Sequence, residues 1–424
     1  MTSHMPCGID FGTSNSTAAI LTSDGAARLL ALEGDSAVLP STLFFSFEDA
    51  EVRFGRAAVN AYVEGVEGRL MRSLKSVLGS RTMAEKTTIK ARRWTFSEII
   101  GLYLKQVKTR AETAAGQAFD RVVLGRPVHF VDGDAEADRR AQGELEAIAR
   151  EAGFSEVAFQ FEPIAAALDH ERSVEREELA VIVDLGGGTS DFAIVRVSPE
   201  RRKAVDRRAD ILASTGIHIG GTDFDRLLSL RTVMPELGYR TLARDGRRDL
   251  PNWAYFELAT WHRINFLYAP QIDTKLKDLR QDAARPDLVD RLMAVIAERQ
   301  GHALAGEVEA AKIALSSRER HHLRFPLSDV DLDLEVARAD LVAAIEQSVA
   351  GIAGALADCL DQAGVGAEAI SSVFVTGGSA SIPFVRDRLT GLFPQAAVVQ
   401  GDVFGSVGTG LALDAARKYG PVSA

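Results

Sequence analysis

Cysteine is nearly missing from this chain: 424 residues contain two, Cys7 and Cys359, far apart in sequence. So few thiols exclude a disulfide-rich scaffold. They fit a reduced, cytoplasmic setting, with Cys7 in a buried strand and Cys359 in an apolar helix as inert thiols. The sequence has no signal peptide and no apolar run judged long enough to cross a membrane, so no membrane partner is expected. No Lys/Arg-rich tract offsets the net charge of -10, which argues against nucleic acid as a partner. The short basic runs Arg201-Arg-Lys203 and Arg207-Arg208 read as solvated loop charges. His321-His322 sit beside arginines, and no Cys or His spacing there matches a metal site. A Walker A loop is missing as well, since no G-x-x-x-x-G-K-[ST] precedes a helix.

Two look-alike hairpins stand out in what remains. Gly8-Ile-Asp-Phe-Gly-Thr-Ser-Asn-Ser-Thr-Ala-Ala-Ile20 aligns without gaps on Ile182-Val-Asp-Leu-Gly-Gly-Gly-Thr-Ser-Asp-Phe-Ala-Ile194, placing Asp10 over Asp184 and Gly12 over Gly186. In each, an apolar strand ends in an aspartate, a turn of small residues follows, and a second apolar run begins. Small residues let backbone N–H groups crowd around phosphate oxygens, and the hydroxyls of Thr13, Ser14 and Thr189 add donors. An aspartate beside a polyphosphate repels it unless a cation intervenes, so Asp10 and Asp184 point to Mg2+ held through coordinated water.

The chain has the composition of a soluble globular protein, 46% hydrophobic and 25% charged. Its length suggests roughly two to four subdomains. Residues 6–45 read as short strands, and helical material follows to about residue 115, with Ser97 heading a helix that carries Ile99, Ile100, Tyr103, Leu104 and Val107 on one face. Arg121 to Gly125 is a strand, Asp132 to Asp138 opens a helix, and the strand Val157 to Phe161 delivers Glu162-Pro163 at its end. The pattern restarts near Glu178, and Gly220-Gly221 then turns into a helix. Residues 231–300 read as helix or loop, with Trp253, Phe256, Trp261, Ile264 and Tyr268 near one helical face, where core packing is favoured over a partner surface. A helix over about 335–363, the strand Ser372 to Thr376, Gly377-Gly378-Ser379 and a small-residue helix complete the pattern.

Several ordered motifs together resemble the nucleotide-binding domain of the seventy-kilodalton heat-shock chaperones, and in particular the bacterial YegD-type chaperone-like proteins. They are Ile9-Asp-Phe-Gly-Thr-Ser-Asn-Ser16, Ser73-Leu-Lys-Ser-Val-Leu-Gly79, Glu162-Pro-Ile-Ala-Ala-Ala167, Val183-Asp-Leu-Gly-Gly-Gly-Thr-Ser-Asp191, Gly220-Gly-Thr-Asp-Phe-Asp225, Glu309-Ala-Ala-Lys-Ile-Ala-Leu-Ser316 and Thr376-Gly-Gly-Ser-Ala-Ser-Ile-Pro383. The resemblance implies an α/β actin-like ATPase fold, a ribonuclease H-like motif duplicated into two lobes around a central nucleotide cleft. It divides the chain into lobe I (1–178), lobe II (179–402) and a C-terminal helix returning to lobe I (403–424), with no peptide-binding domain. ATP or ADP with Mg2+ would be the ligand, and a protein client or co-chaperone the partner. Lys75, Glu162, Asp184 and Thr189 would be catalytic. Gly12, Thr13, Ser14, Asn15, Gly186, Gly187 and Gly188 would hold phosphates, and Gly220, Gly221, Glu309, Lys312, Ser316, Gly377, Gly378, Ser379 and Asp402 would border the nucleoside. Pro127 and Arg139 would lie near the family's interdomain switch.

One departure affects affinity: the two arginines that sandwich adenine in the chaperones correspond here to Ile313 and Ser381. Removing both stacks implies weaker, less adenine-selective binding. The expected activity is slow ATP hydrolysis coupled to lobe closure, as a chaperone-like or regulatory switch. A nucleotide-sensing module without catalysis, a small-molecule kinase of the same superfamily and a filament-forming actin relative remain as alternatives.

Overall fold

Each half of the fold begins with a short apolar strand that ends in an aspartate. A computed structural model of the chain describes residues 5–49, 51–131, 133–201, 204, 206–326, 331–399 and 405–420. The first half runs β1 (Cys7–Phe11), β2 (Asn15–Leu21), β3 (Ala27–Leu29), β4 (Leu39–Pro40), β5 (Thr42–Ser46), β6 (Val52–Phe54), α1 (Arg56–Val63) and β7 (Gly68–Arg72). It continues through β8 (Lys86–Ile89), β9 (Arg92–Thr95), α2 (Phe96–Ala115), β10 (Arg121–Arg126), α3 (Ala135–Glu151), β11 (Glu156–Phe161) and α4 (Glu162–Glu171). The second half opens with β12 (Glu178–Leu185), β13 (Ser190–Val197), β14 (Ile211–Ile217), α5 (Gly221–Thr232), α6 (Trp253–Ala259), α7 (Gln271–Asp282), α8 (Pro286–Ala297) and α9 (Gly301–Leu315). It closes with β15 (Arg320–Phe325), β16 (Leu332–Ala337), α10 (Arg338–Ala363), β17 (Ile370–Thr376), α11 (Pro383–Thr390), β18 (Ala397–Val399) and α12 (Ser406–Tyr419).

The two main sheets repeat one plan. The first is ordered β11-β10-β1-β2-β3 and the second β18-β17-β12-β13-β14, with parallel and antiparallel pairs in the same places. Asp10 faces Thr17 across β1 and β2, and Asp184 faces Asp191 across β12 and β13, so the gap-free sequence alignment is also a structural one. This is the duplicated ribonuclease H-like motif of the actin-like ATPase fold. Each lobe has its own core, one around Ile9, Phe11, Tyr103 and Leu124, the other around Val183, Phe192, Leu292 and Ile345.

Helix α4 lies between the lobes. Its Ile164, Ala167 and Leu168 pack on Ala180, Ile182, Ala193 and Val195 of the second sheet, each large apolar side chain contributing about 2 kcal/mol by burial. Its Ala165 packs instead with Val123, Leu411 and Ala415 on the lobe I side. Small residues permit this approach: a Cβ on Gly410 would lie 1.8 Å from the Ala165 carbonyl oxygen, and one on Gly8 would lie 2.4 Å from the Ala412 nitrogen. At the cleft rim, Tyr62 of α1 bonds to Asn265 and meets the His302 ring edge-on at 4.6 Å.

Several expectations need correction. The stretch before α2 is not mainly helical, because β6 and β7 pair antiparallel with β5, and β8 pairs with β9. Helix α2 starts one residue before Ser97, capped by Thr95: the Glu98 N–H donates to the Thr95 hydroxyl and the Thr95 N–H to the Glu98 carboxylate. The helix expected from about 335 starts at Arg338, since Leu332–Ala337 pairs as a strand with β15, which also holds His321 and His322. Trp253 and Tyr268 do pack on the lobe II core, but Phe256 is exposed. Among the described residues one helix, α10, is long and apolar enough to span a membrane, contrary to the expectation of no such run. Here it packs on β13, β14 and α5 with Leu341, Ile345, Val349, Ile352 and Leu356 buried. Arg207 is not a solvated loop charge but a buried one.

Replacing Gly410 with valine would drive a branched side chain into the α4 backbone. We expect Gly410→Val to cost about 3 kcal/mol, read as a lowered thermal unfolding midpoint.

Candidate functional site

The aspartates of both hairpins face the space between the lobes, and the other charged groups come from strand and helix ends. Lys75 follows β7 in a short 3-10 turn, entered through Ser73 in left-handed backbone. Its ammonium pairs with Glu162, the first residue of α4. Gly125 of β10 holds the neighbouring carboxylates close, since a Cβ there would meet Glu162 Cγ at 3.2 Å and Asp10 Oδ1 at 3.4 Å.

Electrostatics follow from that crowding. Burial, the negative charges of Glu162 and Asp184, and only partial relief from Lys75 push Asp10 up to about 7. Burial and the charges of Asp191 and Glu162 push Asp184 up to about 6, against a hydrogen bond from Thr376. Burial works against the charge on Lys75, yet Glu162, Asp10 and Asp184 together hold its pKa above the ordinary value. The cluster therefore has more acid than base. Its donors are oxygens without nitrogen or sulfur, the set that Mg2+ takes. Among the described residues no group of three or more His, Cys, Asp or Glu could hold a metal ion.

The two glycine turns meet face to face. A Cβ on Gly187 would lie 2.8 Å from Ser14 Oγ of the opposite turn, so any side chain there would turn the Ser14 hydroxyl aside. The first turn is pinned from below: the Ser41 hydroxyl donates to the Gly12 carbonyl at 2.7 Å, and the Ser41 N–H to the Ser14 carbonyl at 2.8 Å. In the second turn, the Gly186 N–H donates to the Thr189 carbonyl at 2.9 Å, and the Thr189 hydroxyl to Asp191 at 2.9 Å. The Gly221 and Thr222 N–H groups donate to the carbonyls of Gly186 and Gly187, joining the start of α5 to this turn. A Cβ on Gly220 would meet the Gly188 nitrogen at 2.6 Å, and one on Gly221 would meet Ser379 Oγ at 2.8 Å and Lys312 Nζ at 3.5 Å. Gly377, in left-handed backbone, crosses over Leu185 and Asp184.

The structure thus brings together Asp10, Lys75, Glu162 and Asp184, and beside them Gly12 to Asn15, Gly186 to Thr189, Gly220, Gly221, Lys312, Gly377 and Ser379. Other expected residues sit further out. Ile313 is 61% exposed, Glu309, Gly378 and Ser381 are exposed, and the Ser316 hydroxyl bonds back to the Lys312 carbonyl on its own helix. Asp402 lies outside the described residues. The sequence reading missed Ser41, which no local motif marks, and Asp225, which pairs with Lys312 at 2.8 Å. It also assigned nothing to Asp191, although that residue lies inside the second hairpin motif. A separate cavity of about 650 Å³, lined in part by Arg126, Arg139, Gln142 and Arg208, adjoins the β10 end of lobe I.

Residues 6–234 and 293–421 match the family model described as Hsp70 protein. The chain belongs to the Hsp70 family. Chaperone protein DnaK of Thermotoga petrophila, Thermotoga maritima and Thermotoga neapolitana are each 26% identical over 389 residues, 89% of this chain and 54% of the relative. The chain spans about half the length of these curated relatives. Between the two stretches matched by the Hsp70 model lie α6, α7 and the start of α8.

The raised Asp10 pKa makes a signed prediction for the ligand-free Hsp70 fold. Between the ordinary carboxylate range and about 7, the folded chain holds this proton and the unfolded chain does not, so stability falls as pH rises through that window. Asp10→Asn should match the parent near pH 4 and exceed its stability above pH 7. Urea titrations of both proteins across that range check it, and the comparison cancels contributions such as that of buried His302, whose pKa burial lowers to about 4.

Proposed function

We propose that this Hsp70-family chain binds ATP with Mg2+ in the cleft and hydrolyses it slowly to ADP and phosphate, with lobe closure as the output of a chaperone-like switch. The observation that carries the reading is the pair of opposed glycine turns beside the buried Lys75–Glu162 pair and the two aspartates. Backbone N–H groups and hydroxyls of Thr13, Ser14, Asn15 and Gly186 to Thr189 hold the phosphates. Asp10 and Asp184 hold a hydrated Mg2+, which supplies charge neutralisation at the phosphates. Lys75 stabilises charge that develops on the transferred phosphoryl group, and Glu162 orients the attacking water. Thr189, whose hydroxyl donates to Asp191, presents its oxygen lone pairs beside them. Lobe I comprises 1–178 and lobe II 179–402, and within the C-terminal segment 403–424 helix α12 packs back on lobe I. Partners are a client or co-chaperone in a reducing cytoplasm, a setting supported by two free, buried thiols.

Single-turnover hydrolysis tests this. The parent should release phosphate with Mg2+, while Lys75→Ala and Thr189→Ala lose about a hundredfold in rate. Nucleotide binding with no release would instead support the sensing module. That second reading draws on one observation, the 61% exposure of Ile313 where the family stacks an arginine on adenine. Ile313→Arg should tighten ATP binding about fivefold and sharpen preference over GTP, measured by calorimetry.

A further inference from the structure

Arg207 is a fully charged side chain only 1% exposed, and it lies outside the cleft. Its Nη1 and Nη2 donate to the two oxygens of Glu171 at 2.9 and 2.7 Å, and its Nε to Asp210. Asp210 also accepts from Arg201 at 2.8 Å, and Glu171 from the Ser198 N–H at 3.2 Å. Glu171 is the last residue of α4, whereas Ser198 follows β13, and Arg207 and Asp210 precede β14. The network therefore joins the far end of the helix that begins with Glu162 to the second sheet.

Stability alone is a poor explanation for it. A carboxylate at the negative end of a helix is disfavoured, and a buried ion network is often no more stable than apolar residues of the same volume. What a bidentate guanidinium adds is direction, because the planar fork fits a carboxylate in one orientation. Helix α4 is about 15 Å long and packed on both sides, so it moves as a rod. Tied to lobe II at its far end and packed on α12 of lobe I along one side, α4 couples the position of lobe II to that of Glu162 beside Lys75.

We propose that Arg207 and Glu171 are positioning residues: they tie α4 to the β13–β14 connection, so that the position of lobe II sets the position of Glu162 in the cleft. The consequence for hydrolysis rests on the reading of the cleft given above. The tie itself does not.

The test uses Glu171→Leu/Arg207→Met, which removes the ion pair, keeps the volume apolar and leaves Asp210 with Arg201. Arg207→Lys, which keeps charge but loses the fork, covers the case in which the double variant fails to fold. Two readouts are taken on the full chain: hydrogen exchange of α4 amides without nucleotide, and single-turnover ATP hydrolysis with and without Glu162→Gln. The expected result is faster exchange of the hydrogen-bonded α4 amides after the first turn, and hydrolysis lowered about a hundredfold at unchanged ATP affinity. Glu162→Gln should then cost much less in the untied background than in the parent, with Arg207→Lys intermediate. Unchanged exchange in a folded variant overturns the proposal, as does a Glu162→Gln effect fully additive with loss of the tie. Faster exchange in a chain whose parent never hydrolyses ATP would sink the ATPase reading and leave the tie standing.

Discussion

One ammonium, that of Lys75, meets three carboxylates in a confined space, and the architecture of both lobes serves to hold that imbalance in place. Asp10 and Asp184 come from the ends of equivalent central strands, Glu162 from the start of an interlobe helix, and Lys75 from a strained turn after β7. Neighbouring acids and burial raise both aspartates above the ordinary carboxylate range, so the apo cleft stores electrostatic free energy. A cation-bound polyphosphate is a partner that would release it, because it brings positive charge to the aspartates and offers its own oxygens to the turns. The cluster is thus a cost in the free chain that such a partner would relieve.

Close backbone approach is the second constraint. The turns from the two lobes meet where Gly187 faces the Ser14 hydroxyl, and α12 reaches the α4 backbone through Gly410. Such contacts are made by backbone and small side chains, so they gain little from apolar area. They gain geometric definition instead, and a misfit of one methyl group is felt directly. The two largest apolar clusters sit within the lobes, and a smaller one joins α4 to the second sheet. Rigid lobes joined by a narrow seam are the arrangement that lets ligand binding become relative motion. At the rim, the Tyr62 contacts with Asn265 and His302 would have to part when the cleft opens.

Much of this could be read from the residues in order. Each D-x-G hairpin is a local object: an apolar run, an acid and a glycine turn lie adjacent in the chain, so strand, turn and strand follow from sequence alone. The strand that ends at Glu162 and the turn at Gly220-Gly221 were legible for the same reason. The short strands β6 to β9 were not, because three or four residues are too few for a period, and pairing with β5 decides them. Ser41 carried no signal, since its role depends on lying under a turn formed about thirty residues earlier.

Charge was the hardest property to read. Arg207-Arg208 looks like solvent-facing sequence, and Arg208 is exposed, but Arg207 is enclosed by a carboxylate 36 positions away. By itself, the sequence determined the duplicated hairpins, the acids at their strand ends and the family to which they belong, because those features are encoded within a few consecutive residues. Only the tertiary structure decided which charges are buried, which acids share Lys75, and that α4 is held by lobe II at one end and faces Lys75 at the other. Burial and pairing are relations between segments distant along the chain, and their energies exist only once the chain has closed around them.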